Sequence, residues 1–108
     1  MKAAPRIRPA AVAGRFYPAD PAELRAEVRR FLADAPQREG PSPKAVIAPH
    51  AGYMYSGPVA GSAFAPWLPD RDRIRRVVLV GPSHRVALRG LAVPSAQAPP
   101  RPGEDPWL

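Results

Sequence analysis

Two histidines and no cysteine stand among the 108 residues, so nitrogen is the soft-metal donor this chain can offer. His50 follows the apolar run Ala45, Val46, Ile47, Ala48 across a single proline, Pro49. His84 follows the run Val77, Val78, Leu79, Val80 across Gly81, Pro82 and Ser83. Neutral imidazole is the commonest side-chain metal ligand. Two imidazoles just beyond the ends of neighbouring strands, about 4.8 Å apart, can converge on one ion. A divalent ion asks for nitrogen at about 2.0–2.1 Å and for three or four ligands, so the pair is half of a site. No Asp or Glu occurs between Glu39 and Asp70 or between Asp72 and Glu104. A two-histidine, one-carboxylate triad is therefore not completed locally, and the third ligand is expected from outside this sequence.

Either histidine alone reads more readily as a loop residue bonded to backbone, whereas two on one rim of one unit favour ligation. Between them, Gly52, Tyr53, Tyr55 and Ser56 supply glycine freedom, two phenols and a hydroxyl that could line a polar pocket, with Ser83 beside His84. The competing reading is a turn whose tyrosines pack on a sheet edge. A nucleophilic Ser56 or Ser83 is weaker, because no acidic residue is near to orient a histidine.

These residues need elements to hold them. Residues 1–19 read as an extended, proline-punctuated arm with Phe16 and Tyr17 as its aromatic anchor. Asp20 before Pro21, with Glu23 three residues on, predicts a helix start. Leu24, Val28, Phe31 and Leu32 give that helix one apolar stripe, ending near Asp34. Residues 37–43 are polar loop. The runs 45–48 and 77–80 read as strands covered on both faces, and 88–93 as a third. The small apolar stretch 58–68 reads as a closely packed helix starting near Ser56 and distorted by Pro66 at its end. Strand, helix, strand in that order is a βαβ unit with parallel strands, and ligands in such sheets gather beyond the strands' carboxyl ends, where both histidines lie.

The chain's size, 11.6 kDa, allows one core. With 45% apolar and 23% charged residues it has the composition of a folding chain, and its 17 prolines imply much loop. The absence of cysteine excludes a disulfide framework and a thiolate metal site. The net charge of +7 comes from 16 basic and 9 acidic residues. No run of five like charges occurs, which favours scattered surface arginines. The competing reading is a binding module for nucleic acid or an acidic partner, using that charge with Phe16, Tyr17, Tyr53 and Tyr55 as stacking platforms. No apolar stretch is long enough to cross a bilayer and no signal-like segment follows the basic start, so a cytoplasmic location is expected.

Three blocks carry a specific resemblance. They are Arg8-Pro9 with Val12-Ala13-Gly14-Arg15-Phe16-Tyr17-Pro18, then Ile47-Ala48-Pro49-His50-Ala51-Gly52-Tyr53-Met54-Tyr55-Ser56-Gly57, and finally Gly81-Pro82-Ser83-His84. In order and spacing they resemble the Memo-like family, called AmmeMemoRadiSam system protein B in prokaryotes. The resemblance runs through about Ser95 and covers only the first part of the family domain. It implies an α/β fold like the catalytic subunit of class III extradiol dioxygenases, here an incomplete parallel or mixed sheet with flanking helices. It also implies a bound iron or copper ion, with His50 and His84 on two of the family's metal positions and a further histidine and cysteine in the half with no counterpart here. By family association, AMMECR-type and radical SAM proteins are expected partners.

The expected organisation is therefore an amino-terminal part of a Memo-like domain over residues 1–95 and a proline-rich coil tail over 96–108, whose departure from the family pattern suggests a frameshift or truncated gene. Intact relatives are expected to do metal-dependent redox or dioxygenase-like chemistry. The isolated chain is expected to be inactive, poorly soluble or loosely packed, and a remnant without separate activity is the third reading.

Overall fold

The computed structural model describes residues 8–93. Residues 1–7 of the arm and the coil tail from residue 96 lie outside the described residues. The elements are two helices, α1 (Pro21–Ala33) and α2 (Tyr53–Phe64), followed directly by a 3₁₀ segment (Ala65–Asp70).

Helix α1 forms where its local signals place it. Asp20 is the N-cap, its Oδ1 accepting the Glu23 N–H at 2.9 Å, and Pro21 opens the first turn. Such a cap satisfies one of the backbone donors that a helix start leaves without a partner. The helix ends at Asp34, whose N–H donates to the Arg30 carbonyl. Leu24, Val28, Phe31 and Leu32, the predicted stripe, are the half-buried apolar residues of the helix.

Helix α2 begins at Tyr53, three residues before the predicted start at Ser56. Gly52 is its N-cap and makes no side-chain cap bond. Other groups do that work. The Tyr53 N–H donates to the Phe16 carbonyl of the arm at 2.7 Å, and Ser56 reaches back from inside the first turn to accept the Ala51 N–H at 2.9 Å. At its other end α2 tightens into the 3₁₀ segment at Ala65, next to Pro66, since a proline there has no N–H to continue the ladder.

The two helices cross at a notch made by Gly57 and Gly61, both buried. A Cβ on Gly57 would sit 2.4 Å from the Phe31 ring, and one on Gly61 would sit 2.6 Å from the Phe31 carbonyl oxygen. The α2 backbone thus comes close enough to α1 that only hydrogen fits. The arm seals this contact from the side. Val12, Gly14 and Tyr17 close a tight turn, with Gly14 at φ +78° donating to the Tyr17 carbonyl. Tyr17, 4% exposed, is the one buried hydrophobic residue among the described residues. Its ring lies 5.8 Å from that of Tyr53, which in turn meets Phe31 edge-on at 5.9 Å. One aromatic chain therefore joins arm, α2 and α1.

The loop at 41–43 is clasped to the 3₁₀ segment. Trp67 Nε1 donates to the Pro43 carbonyl at 2.7 Å, and the Ser42 hydroxyl bonds the Pro66 carbonyl and the Asp70 carboxylate. This fixes where the chain enters residues 44–50.

The three predicted strands differ from expectation. Residues 45–48 and 74–80 take no regular secondary structure, and the only bridge among the described residues is the isolated one between Ala13 and Tyr17. No backbone hydrogen bond joins 45–48 to 77–80, and 88–93 forms no ladder either. Nor are the runs covered on both faces: Ile47 is 99% and Val78 88% exposed. A run of strand-forming residues becomes a strand only when a neighbour takes its N–H and C=O groups and a layer takes its side chains. The described residues supply neither.

Candidate metal centre

His50 and His84 meet. Their Nε2 atoms are 3.0 Å apart, with ring centroids 5.1 Å apart and planes inclined at 53°. The contact spans a sequence separation of 34 residues, and both side chains are exposed. Each follows an apolar run in sequence, 45–48 and 77–80, but neither run is the strand that was expected there.

Both loops are pinned close to the histidine they carry. Ser56 holds the residue after His50 through the Ala51 N–H. On the other loop Ser83 Oγ donates to the Val86 carbonyl, folding the turn around His84. The two serines thus act on backbone. Ser56 is 5% exposed, with its hydroxyl engaged in the loop.

The other residues predicted around the pair are dispersed. Tyr53 turns into the helix contact against Tyr17 and Phe31. Tyr55 is exposed. Gly52 takes the N-cap of α2, its carbonyl accepting the N–H groups of Tyr55 and Ser56. Of the four aromatic residues considered as stacking platforms, Tyr17 is buried and Tyr53 is occupied by neighbouring rings. The loop clasp built from Ser42, Trp67 and Asp70 escaped sequence reasoning, since its partners lie 24 and 28 residues apart with no local pattern to join them.

The separation is compatible with two ligands of one ion. Two nitrogens 3.0 Å apart, each about 2.1 Å from one ion, subtend about 90°, the angle between neighbouring ligands of an octahedral ion; a tetrahedral one would part them by about 3.4 Å. The same separation accommodates a direct hydrogen bond, in which one neutral ring donates and the other accepts. Among the described residues no group of three His, Cys, Asp or Glu forms. Among them, too, no helix is long and apolar enough to cross a membrane.

Comparison with known proteins places the chain. The family described as Memo-like protein matches residues 8–102. Protein MEMO1 of Danio rerio is 40% identical over 90 residues, covering 83% of this chain and 29% of the relative. A MEMO1 family protein of Aquifex aeolicus is 39% identical over 94 residues, covering 86% and 33%. A MEMO1 family protein of Methanopyrus kandleri is 45% identical over 85 residues, covering 71% and 30%. This chain therefore spans about a third of the length of these relatives. No solved structure matches it. The family match extends over nearly all of the chain and takes in both histidine loops: this protein belongs to the Memo-like family.

Proposed function

We propose that the chain provides two ligands of a mononuclear metal site, His50 and His84, in a Memo-like protein whose sheet resembles that of class III extradiol dioxygenases. The observation that carries the reading is the 3.0 Å approach of the two Nε2 atoms. Two exposed rings from loops 34 residues apart are brought together at the ends of runs that no backbone bond joins.

Iron or copper, when bound, would supply Lewis-acid or redox chemistry at open coordination positions. The chain's own contribution is placement. Pro49 and Pro82 restrict the backbone just before each histidine, while Ser56 and Ser83 hold the loops that follow. Remaining ligands come from outside the described residues.

Calorimetric titration of the chain with Fe(II), Cu(II) and Zn(II) tests the reading. Binding weakened at least about tenfold by His50→Ala and equally by His84→Ala is the expected result. Unchanged affinity in either variant would remove that histidine from the site.

A further inference from the structure

The loop clasp at the 3₁₀ segment lies away from the histidines, yet both histidine-bearing segments start from it. The Ser42 hydroxyl is 3.0 Å from the Pro66 carbonyl and 2.5 Å from the Asp70 carboxylate, and Trp67 Nε1 donates to the Pro43 carbonyl at 2.7 Å. Asp70 serves the second segment as well. Its carbonyl accepts the N–H groups of Arg73 and Ile74, and its carboxylate pairs with Arg73 at 3.3 Å. The chain toward His50 leaves this junction at Pro43, seven residues before the histidine, and the chain toward His84 leaves it at Ile74, ten residues before.

Beyond the junction the two segments run free until the histidines. Among the described residues, 44–50 and 75–82 make no backbone hydrogen bond, so their course is set at their ends. Ser56 fixes Ala51, just past His50, and the clasp fixes where the chain arrives from. With the clasp open, the next hydrogen-bonded position upstream of His50 among the described residues is Asp34, sixteen residues away instead of seven. A longer free tether has more conformations in which the two rings do not meet.

We infer that Ser42, Trp67 and Asp70 are positioning residues for the imidazole pair, starting both histidine-bearing segments from one point so that His50 and His84 meet. The inference deepens the metal-site reading, on which its functional meaning rests, but the meeting of the rings is measurable without metal.

The test is the nuclear Overhauser effect between the His50 and His84 ring protons in the full chain, held metal-free with chelator. Ser42→Ala removes the hydroxyl of the clasp. Trp67→Phe removes only the indole donor and keeps a ring beside Phe64, whose centroid lies 5.7 Å from that of Trp67. In the double variant the free tether grows from seven residues to sixteen, and the ring-to-ring signal should fall by about threefold, with each single variant between. Far-UV circular dichroism of the helices should not change. A full-strength signal in the double variant overturns the inference, as does the absence of any signal in the unsubstituted chain. Loss of the signal only together with loss of helix leaves the clasp a purely structural role and overturns it too. Zn(II) titration of the unsubstituted chain separates this outcome from that of the metal site. Failure to bind Zn(II) while the signal responds to the clasp removes the metal site and keeps the positioning role; Zn(II) binding that depends on His50, with a signal indifferent to the clasp, does the reverse.

Discussion

The helical part of this molecule and its irregular apolar part, residues 45–48 and 77–93, reach different ends. In the helical part, α1, α2 and the arm satisfy one another: a carboxylate caps α1, the Phe16 carbonyl takes the first N–H of α2, and Tyr17, Tyr53 and Phe31 interlock. In the irregular part, Ile47, Val78 and Leu91 stand in solvent, and the imidazole pair is the hydrogen-bond-range contact between the two histidine-bearing segments. Helices complete their backbone bonds locally, whereas strands depend on partners distant in sequence. Among the described residues the first kind of structure is complete and the second is not.

The largest effect should come from filling the glycine notch. Gly61→Ala places a Cβ against the Phe31 carbonyl, which is backbone and cannot turn aside. It should destabilise the helix pair by about 2–3 kcal/mol in denaturant unfolding followed by far-UV circular dichroism. Gly57→Ala meets the Phe31 ring instead. The ring can clear it only by swinging about χ1, a side-chain and not a backbone movement, and alanine gains helix propensity, so the net cost should be nearer about 1 kcal/mol. Equal costs for the two would show that the close approach is not governed by α1 backbone.

Next in size is the pin beneath the histidine loop. Ser56→Ala removes the acceptor for the Ala51 N–H and should cost about 1 kcal/mol in the same assay. If Ser56 positions His50, metal affinity should fall as well, by less than in His50→Ala. An affinity matching that of the unsubstituted chain would leave Ser56 a purely structural role.

The smallest effect belongs to the irregular part. Ile47→Ser and Val78→Ser alter side chains already in water, and each should change the stability of the isolated chain by no more than about 0.5 kcal/mol. A cost approaching that of Gly61→Ala would mean that these runs pack in solution, and the contrast between the two parts would fail.

Much of this was legible from residue order. The Asp20, Pro21 and Glu23 signals and the Leu24, Val28, Phe31, Leu32 stripe are local, and α1 follows them. The aromatic anchor of the arm was legible for the same reason; His50 and His84 do meet as expected, although the paired strands from which that meeting was argued are absent among the described residues. The start of α2 was missed because Gly52 caps it through the backbone and Ser56 works from inside the helix. Pairing and cover of the strands were not legible, since both depend on groups that the described residues do not include. The small-residue content of α2 signalled close packing, but its partner, Phe31, emerged only from the crossing of the helices.

The central claim is that both imidazoles serve one ion. Histidine ¹⁵N resonances followed during addition of Zn(II) test it most directly. The account predicts that the Nε2 signals of His50 and His84 shift together and reach completion at one equivalent of metal. Movement of one ring alone, or saturation of each ring at its own equivalent, would contradict it and leave the 3.0 Å approach as a hydrogen bond between two loops.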